Sequence, residues 1–152
     1  MARLSHHTAM NTINHTQVPQ TFSLCIHDTC PLAEQCLRRM AWAALTTDNE
    51  RISIINPQCA TPDETCRYYR SATPVTYARG FRGMQAQMLP AQYAKFSEAL
   101  IKRFSRTSYF EHRRGTMPCT PDDIAYIRSV LSTLGLTDLE FDAYEENFNW
   151  SD

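Results

Sequence analysis

Glycine is scarce in this chain, with four among 152 residues. A loop that cradles phosphate with its backbone needs glycines in close order, and the nearest approach, Gly80-Phe81-Arg82-Gly83, is too short to form one. Long apolar runs are also missing. No stretch approaches the ~18 residues of a membrane-spanning helix, so no membrane association is expected. Met1 to Gln20 are polar and rich in Thr, Asn and His, without the apolar centre of a secretory signal, which predicts a cytoplasmic protein. The net charge is only −1, so no global field selects a partner. There is no nucleophile elbow, no paired-histidine zinc motif and no pair of cysteines separated by two residues. No reaction is indicated, and catalysis has no positive support from any motif.

The chain does have cysteine, at six positions. In a reducing compartment these are metal ligands or free thiols before they are disulfides. Cys25, Cys30 and Cys36 lie close together, and Cys66 follows about one strand and one loop later. Four converging thiolates suit a tetrahedral metal ion or an iron–sulfur cluster. Pro31 predicts a helix starting near Cys30, where unpaired N–H groups and the helix dipole favour a thiolate. Cys36 would then lie about 8–9 Å along the axis, too far for one zinc ion to join both cysteines on a rigid helix. A cubane spans such a gap more readily. The expected metal ligands are therefore Cys25, Cys30, Cys36 and Cys66, holding a 4Fe-4S cluster, with zinc as the alternative. His27 is a substitute for one thiolate. Cys59 and Cys119 stand apart, although Cys59 is near enough to Cys66 to replace it. The competing reading is plain packing, because cysteine buries well and Cys36 falls on an apolar stripe.

The first twenty residues read as a disordered tail, and His6, His7 and His15 as solvated side chains within it. The predicted helix near Cys30 runs to Thr46-Thr47-Asp48-Asn49, with Leu32, Cys36, Leu37, Met40, Ala44 and Leu45 on one stripe. Arg51 to Pro57 reads as a strand stopped by Asn-Pro. Thr76 to Met84 reads as a second strand or a glycine-punctuated loop. Pro90 to Phe104 reads as a helix. Another follows Thr120-Pro121-Asp122-Asp123, with Thr120 as its cap and Gly135 as its stop. These elements predict an α+β, mainly helical protein: a small single domain over 21–152 with a short β element and its cysteine site near the N-terminus.

Charge is segregated. Cys66 to Arg114 carries ten Lys and Arg against two carboxylates, and Gly115 to Asp152 carries eight carboxylates against one Arg. Arg79, Arg82, Arg103, Arg106, Arg113 and Arg114, interleaved with Tyr68, Tyr69, Tyr77, Phe81, Tyr109 and Phe110, have the ingredients of a nucleic-acid surface. An acidic protein partner fits the same stretch. The alternative is that the acidic end folds back and satisfies the basic middle.

Cys30-Pro31-Leu32-Ala33-Glu34-Gln35-Cys36-Leu37, followed by Ala41 and Leu45, resembles over about one helix the cluster-binding segment of WhiB-like iron–sulfur regulators. Two features differ: Cys25 precedes Cys30 by five positions, and the fourth cysteine follows the segment. Over most of Cys25 to Trp150 the chain resembles a family of small, uncharacterised bacterial cysteine-containing proteins, a domain of unknown function. The carrying residues are the cysteine segment, Ile55-Asn56-Pro57, Tyr77-Ala78-Arg79-Gly80-Phe81, Met88-Leu89-Pro90, Arg113-Arg114-Gly115 and Tyr144-Glu145-Glu146-Asn147. That resemblance implies no activity. The resulting expectation is a metal- or iron–sulfur-binding regulatory module. The alternatives are a redox or iron sensor and a nucleic-acid-binding protein using residues 66–114.

Overall fold

A computed structural model describes residues 12–152. His6 and His7, with the first eleven residues of the expected tail, lie outside the described residues. The class is α+β and mainly helical, as expected. The chain forms two compact units. One runs to Thr73 and includes Phe148–Asp152; the other is Pro74–Asn147.

The first unit begins with a single 3-10 turn, His15–Gln17. Asn14 and Gln17 cap it reciprocally through Thr16 N to Asn14 Oδ1 (3.1 Å) and Asn14 N to Gln17 Oε1 (2.9 Å). Ile13 beside it is buried with Phe22, Leu24, Leu37, Ala41 and Phe148, so residues 12–20 contribute to a core. Strand β1 (Ser23–Leu24), helix α1 (Leu37–Ala43) and strand β2 (Ser53–Ile54) follow. β1 and β2 pair in parallel, Leu24 opposite Ile54, with α1 as the crossover that parallel pairing requires. The strand expected over 51–57 is thus real but two residues long.

The helix expected from Cys30 does not form there. Residues 31–35 are turns, closed by Ala33 N to Cys30 O and Gln35 N to Leu32 O, both 3.0 Å. Cys36 is extended (φ −93°, ψ 117°) and bridges Ser71, with Leu37 N to Arg70 O at 2.7 Å and Ala72 N to Gln35 O at 3.0 Å. This non-local pairing holds Cys36 out of helical geometry, so α1 starts one residue later.

The second unit holds β3 (Val75–Arg79), α2 (Arg82–Ala86), α3 (Pro90–Phe104), α4 (Arg106–Arg114), α5 (Pro121–Thr133) and β4 (Ala143–Asn147). β3 and β4 are antiparallel, Tyr77 opposite Glu145. On the other edge of β3, Ala78 bridges Cys119. Phe96 and Leu100 of α3 and Ile127 and Leu131 of α5 meet Phe81, Met84 and Phe141 in the core. Thr120 and Asp123 cap α5 reciprocally, Thr120 N to Asp123 Oδ2 at 3.0 Å and Asp123 N to Thr120 Oγ1 at 3.2 Å. Asp142 caps α2 from sixty residues away, accepting from Arg82 N (3.0 Å) and Gly83 N (2.9 Å). Gly80 permits this close approach: its φ is +75°, and a Cβ there would lie 2.5 Å from Asp142 Oδ2. Among the described residues, no helix is long and apolar enough to cross a membrane.

Candidate functional site

Four short backbone segments of the first unit each deliver one cysteine. Cys25 follows β1 directly and donates its N–H to Arg38 O of α1 (3.2 Å). Cys30 opens the 31–35 turns. Cys36 caps α1 and carries the bridge to Ser71. Cys66 sits in a turn closed by Cys66 N to Asp63 O (3.3 Å) and Tyr69 N to Cys66 O (3.1 Å), and the Ser71 bridge tethers that segment to Cys36.

Cys25, Cys30, Cys36 and Cys66 all line a single narrow cavity. Its walls are mostly apolar, from Leu32, Ala33, Ile55, Ala60 and Pro62, and Tyr68 and Tyr69 close one side. Those two tyrosines, read from the sequence as base-stacking groups, therefore belong to the cysteine cavity. Cys36 is 8% exposed; Cys25, Cys30 and Cys66 are half-buried. Burial pushes the Cys25 thiol above its ordinary value. Cys36, Cys30 and Cys66 add to this, because a thiolate at Cys25 would face theirs, while a hydrogen bond from the His27 backbone pulls the other way. Among the described residues, no group of three His, Cys, Asp or Glu side chains is arranged to hold a metal ion. A tetrahedral zinc with Zn–S near 2.3 Å brings its sulfurs to about 3.8 Å from one another. The thiols share a cavity without forming such a cage.

His27 also lines the cavity. Its Nε2 lies 3.1 Å from Pro57 O, and a carbonyl only accepts, so Nε2 is the donor. Cys59 is exposed and is not among the lining residues. Cys119 is fully buried in the second unit, its thiol pushed up to about 12 by burial and the Asp123 charge. It is a packing residue, with His112 Nδ1 at 3.6 Å. His112 is buried as well, held to Met117 O (3.2 Å) and packed on Phe104.

Sequence reasoning missed Arg38 and Arg39, two charges in the cavity wall. Arg38 is 5% exposed. It donates from Nε to Tyr68 O (2.7 Å) and from Nη1 to Ser23 O (2.8 Å), pairs with Asp152, and lies 4.8 Å from the centre of the Phe22 ring. An arginine inside a helix reads as solvated surface, and nothing local to Arg38 or Arg39 signals otherwise.

The six arginines offered for nucleic acid lie in the second unit. Arg79 pairs with Glu145 (2.9 Å) and donates to Gly115 O. Arg103 lies over Tyr126 and 3.7 Å from Asp123. Arg106 lies over Phe110, and Arg113 donates to Gln85. Arg82 and Arg114 are exposed. The acidic end meets the basic middle at two of these arginines, through Glu145 of β4 on Arg79 and Asp123 beside Arg103.

No curated protein and no solved structure matches the chain. Residues 8–150 match the model of a family of unknown function (DUF6078), and the chain belongs to that family.

Proposed function

We propose that the first unit holds a 4Fe-4S cluster on Cys25, Cys30, Cys36 and Cys66, and that the protein is a redox-responsive or iron-responsive regulatory module. The observation that carries this reading is that four cysteines from four separate segments line one cavity. The His27 N–H directed at Cys25 is the kind of sulfur hydrogen bond that orients and tunes a ligand thiolate. The mostly apolar walls limit water, which slows loss of iron and sulfide.

Four thiolates would saturate four irons, leaving no open position for a substrate. The chemistry then reduces to gaining or losing one electron, or to losing the cluster, and either suits sensing better than turnover. Zinc uses the same residues but demands sulfurs drawn close around one ion, and no group of three His, Cys, Asp or Glu side chains among the described residues is so arranged. The test is anaerobic reconstitution with ferrous iron and sulfide. Equal iron and sulfide with a broad visible absorbance band supports the reading. Zinc alone at one per chain, or no uptake, overturns it.

A further inference from the structure

Arg38 and Arg39 are neighbours in α1 and both line the cysteine cavity, yet their surroundings differ. Arg38 is committed to the scaffold through Tyr68 O, Ser23 O and Asp152. Arg39 has no carboxylate paired with it among the described residues, and its Nη1 is buried there without a hydrogen-bond partner. A buried donor left unmade is costly, and more so when charged. The other orphan donors of this unit, Arg70 Nε and Trp150 Nε1, are not among the residues lining the cavity. Among the described residues, the cavity wall thus holds a cation with an unpartnered donor, and it shares that cavity with four groups that become anionic when they bind metal.

We infer that Arg39 is the counter-ion and hydrogen-bond donor of the bound cluster, with Nη1 donating to a cysteine sulfur or bridging sulfide. This inference rests on the cluster reading above. Arg39 is a positioning residue and takes no part in a bond change. In reduction the cluster accepts one electron from an external low-potential reductant, dithionite in the assay, and no bond forms or breaks. The reduced cluster carries one more negative charge beside Arg39, so the guanidinium stabilises it and raises the potential.

The experiment reconstitutes full-length wild-type protein, Arg39→Met and Arg39→Lys, determines iron and sulfide, and titrates each with dithionite while following absorbance. Equal loading is expected for all three. At a fixed potential Arg39→Met shifts the reduced-to-oxidised ratio about tenfold toward oxidised, about 59 mV for a one-electron couple. Arg39→Lys, which keeps the charge, moves less. If Arg39→Met fails to load, Arg39→Gln is titrated in its place, with the same direction expected. Equal loading with an unchanged potential in the uncharged variant overturns the role of Arg39 and leaves the cluster standing. Wild-type protein that takes up no iron and sulfide overturns the cluster reading, and this inference with it.

Discussion

Cys36 and Cys119 form a matched pair for testing the site. Both are buried, at 8% and 0% exposure, and both sit in an isolated β-bridge, but only Cys36 lines the four-thiol cavity. Cys→Ala removes one buried sulfur at each position and leaves a small void, which costs about 1–2 kcal/mol. In a chain of this size that lowers Tm by about 2–8 °C. In metal-free protein the two variants should therefore look alike. Their response to reconstitution should not. Ligand at a hundredfold excess over its dissociation constant adds about 2.7 kcal/mol, or roughly 5–11 °C. Cys119→Ala should keep that gain, and Cys36→Ala, which has no atom to offer iron, should lose it. Differential scanning of the wild type and both variants, metal-free and loaded, reads all six states. Two results would refute the reasoning: a full gain in Cys36→Ala, or loss of the gain in Cys119→Ala.

Three further outcomes follow from other contacts. Burial raises the Asp152 carboxyl, but the hydrogen bond and charge of Arg38 and two hydrogen bonds from Ser23 outweigh it, leaving its pKa below the ordinary value. A depressed carboxylate contributes stability that is present above the unfolded value near 3.8 and is lost as pH falls through the folded one. Asp152→Asn should cost about 1–2 kcal/mol at neutral pH, reduced because Asp152 is 45% exposed and partly screened, and this deficit should vanish at strongly acid pH. Fluorescence reads it, since Trp42 and Trp150, the only two tryptophans, pack in the first unit's core; a deficit independent of pH would count against the ion pair. Gly80→Ala forces a Cβ onto Asp142 at a positive φ, and should cost about 2–4 kcal/mol by circular dichroism. Combined with Asp142→Ala, the losses should be less than additive; strict additivity would disprove the clash. Every thiol that binds iron must give up its proton, and burial makes this harder for Cys25, so iron uptake should strengthen as pH rises, with release of protons; uptake that does not change with pH would count against thiolate ligation in this cavity.

What was legible in the sequence was local. The α5 cap is written in Thr120-Pro121-Asp122-Asp123, and the α3 start in Leu89-Pro90, because both depend on residues within one turn. α4 escaped notice because its buried face is only Tyr109 and His112, too sparse to show a period, although Gly115 after Arg113-Arg114 is an ordinary helix stop. The helix at Cys30 was misread because Cys36 answers to Ser71, thirty-five residues away, and no local pattern carries that pairing. The four cysteines expected as metal ligands do line one cavity, since thiols separated by short loops can reach one another in several backbones. Arg38 and Arg39 were not legible at all: their place depends on where Ser23, Tyr68 and Asp152 end up.

Arg38 also bears on how such a site would behave when empty. Its backbone carbonyl receives Cys25 N, its Nη1 reaches Ser23 O, and its Nε reaches Tyr68 O. One side chain thereby ties the segments of Cys25 and Cys66 to α1, directly beyond Cys36. None of these bonds involves a thiol, so hydrogen bonds and the Phe22–Leu37–Phe148 core hold the cysteine segments without drawing on the sulfurs. That differs from small zinc domains, whose fold is the metal's doing. A chelator should strip the site while leaving the first unit folded, and Arg38→Met should disperse the cysteine segments even where all four thiols remain. Retention of tryptophan fluorescence after chelation, set against its loss in Arg38→Met, would separate a site built on a fold from a fold built on a site.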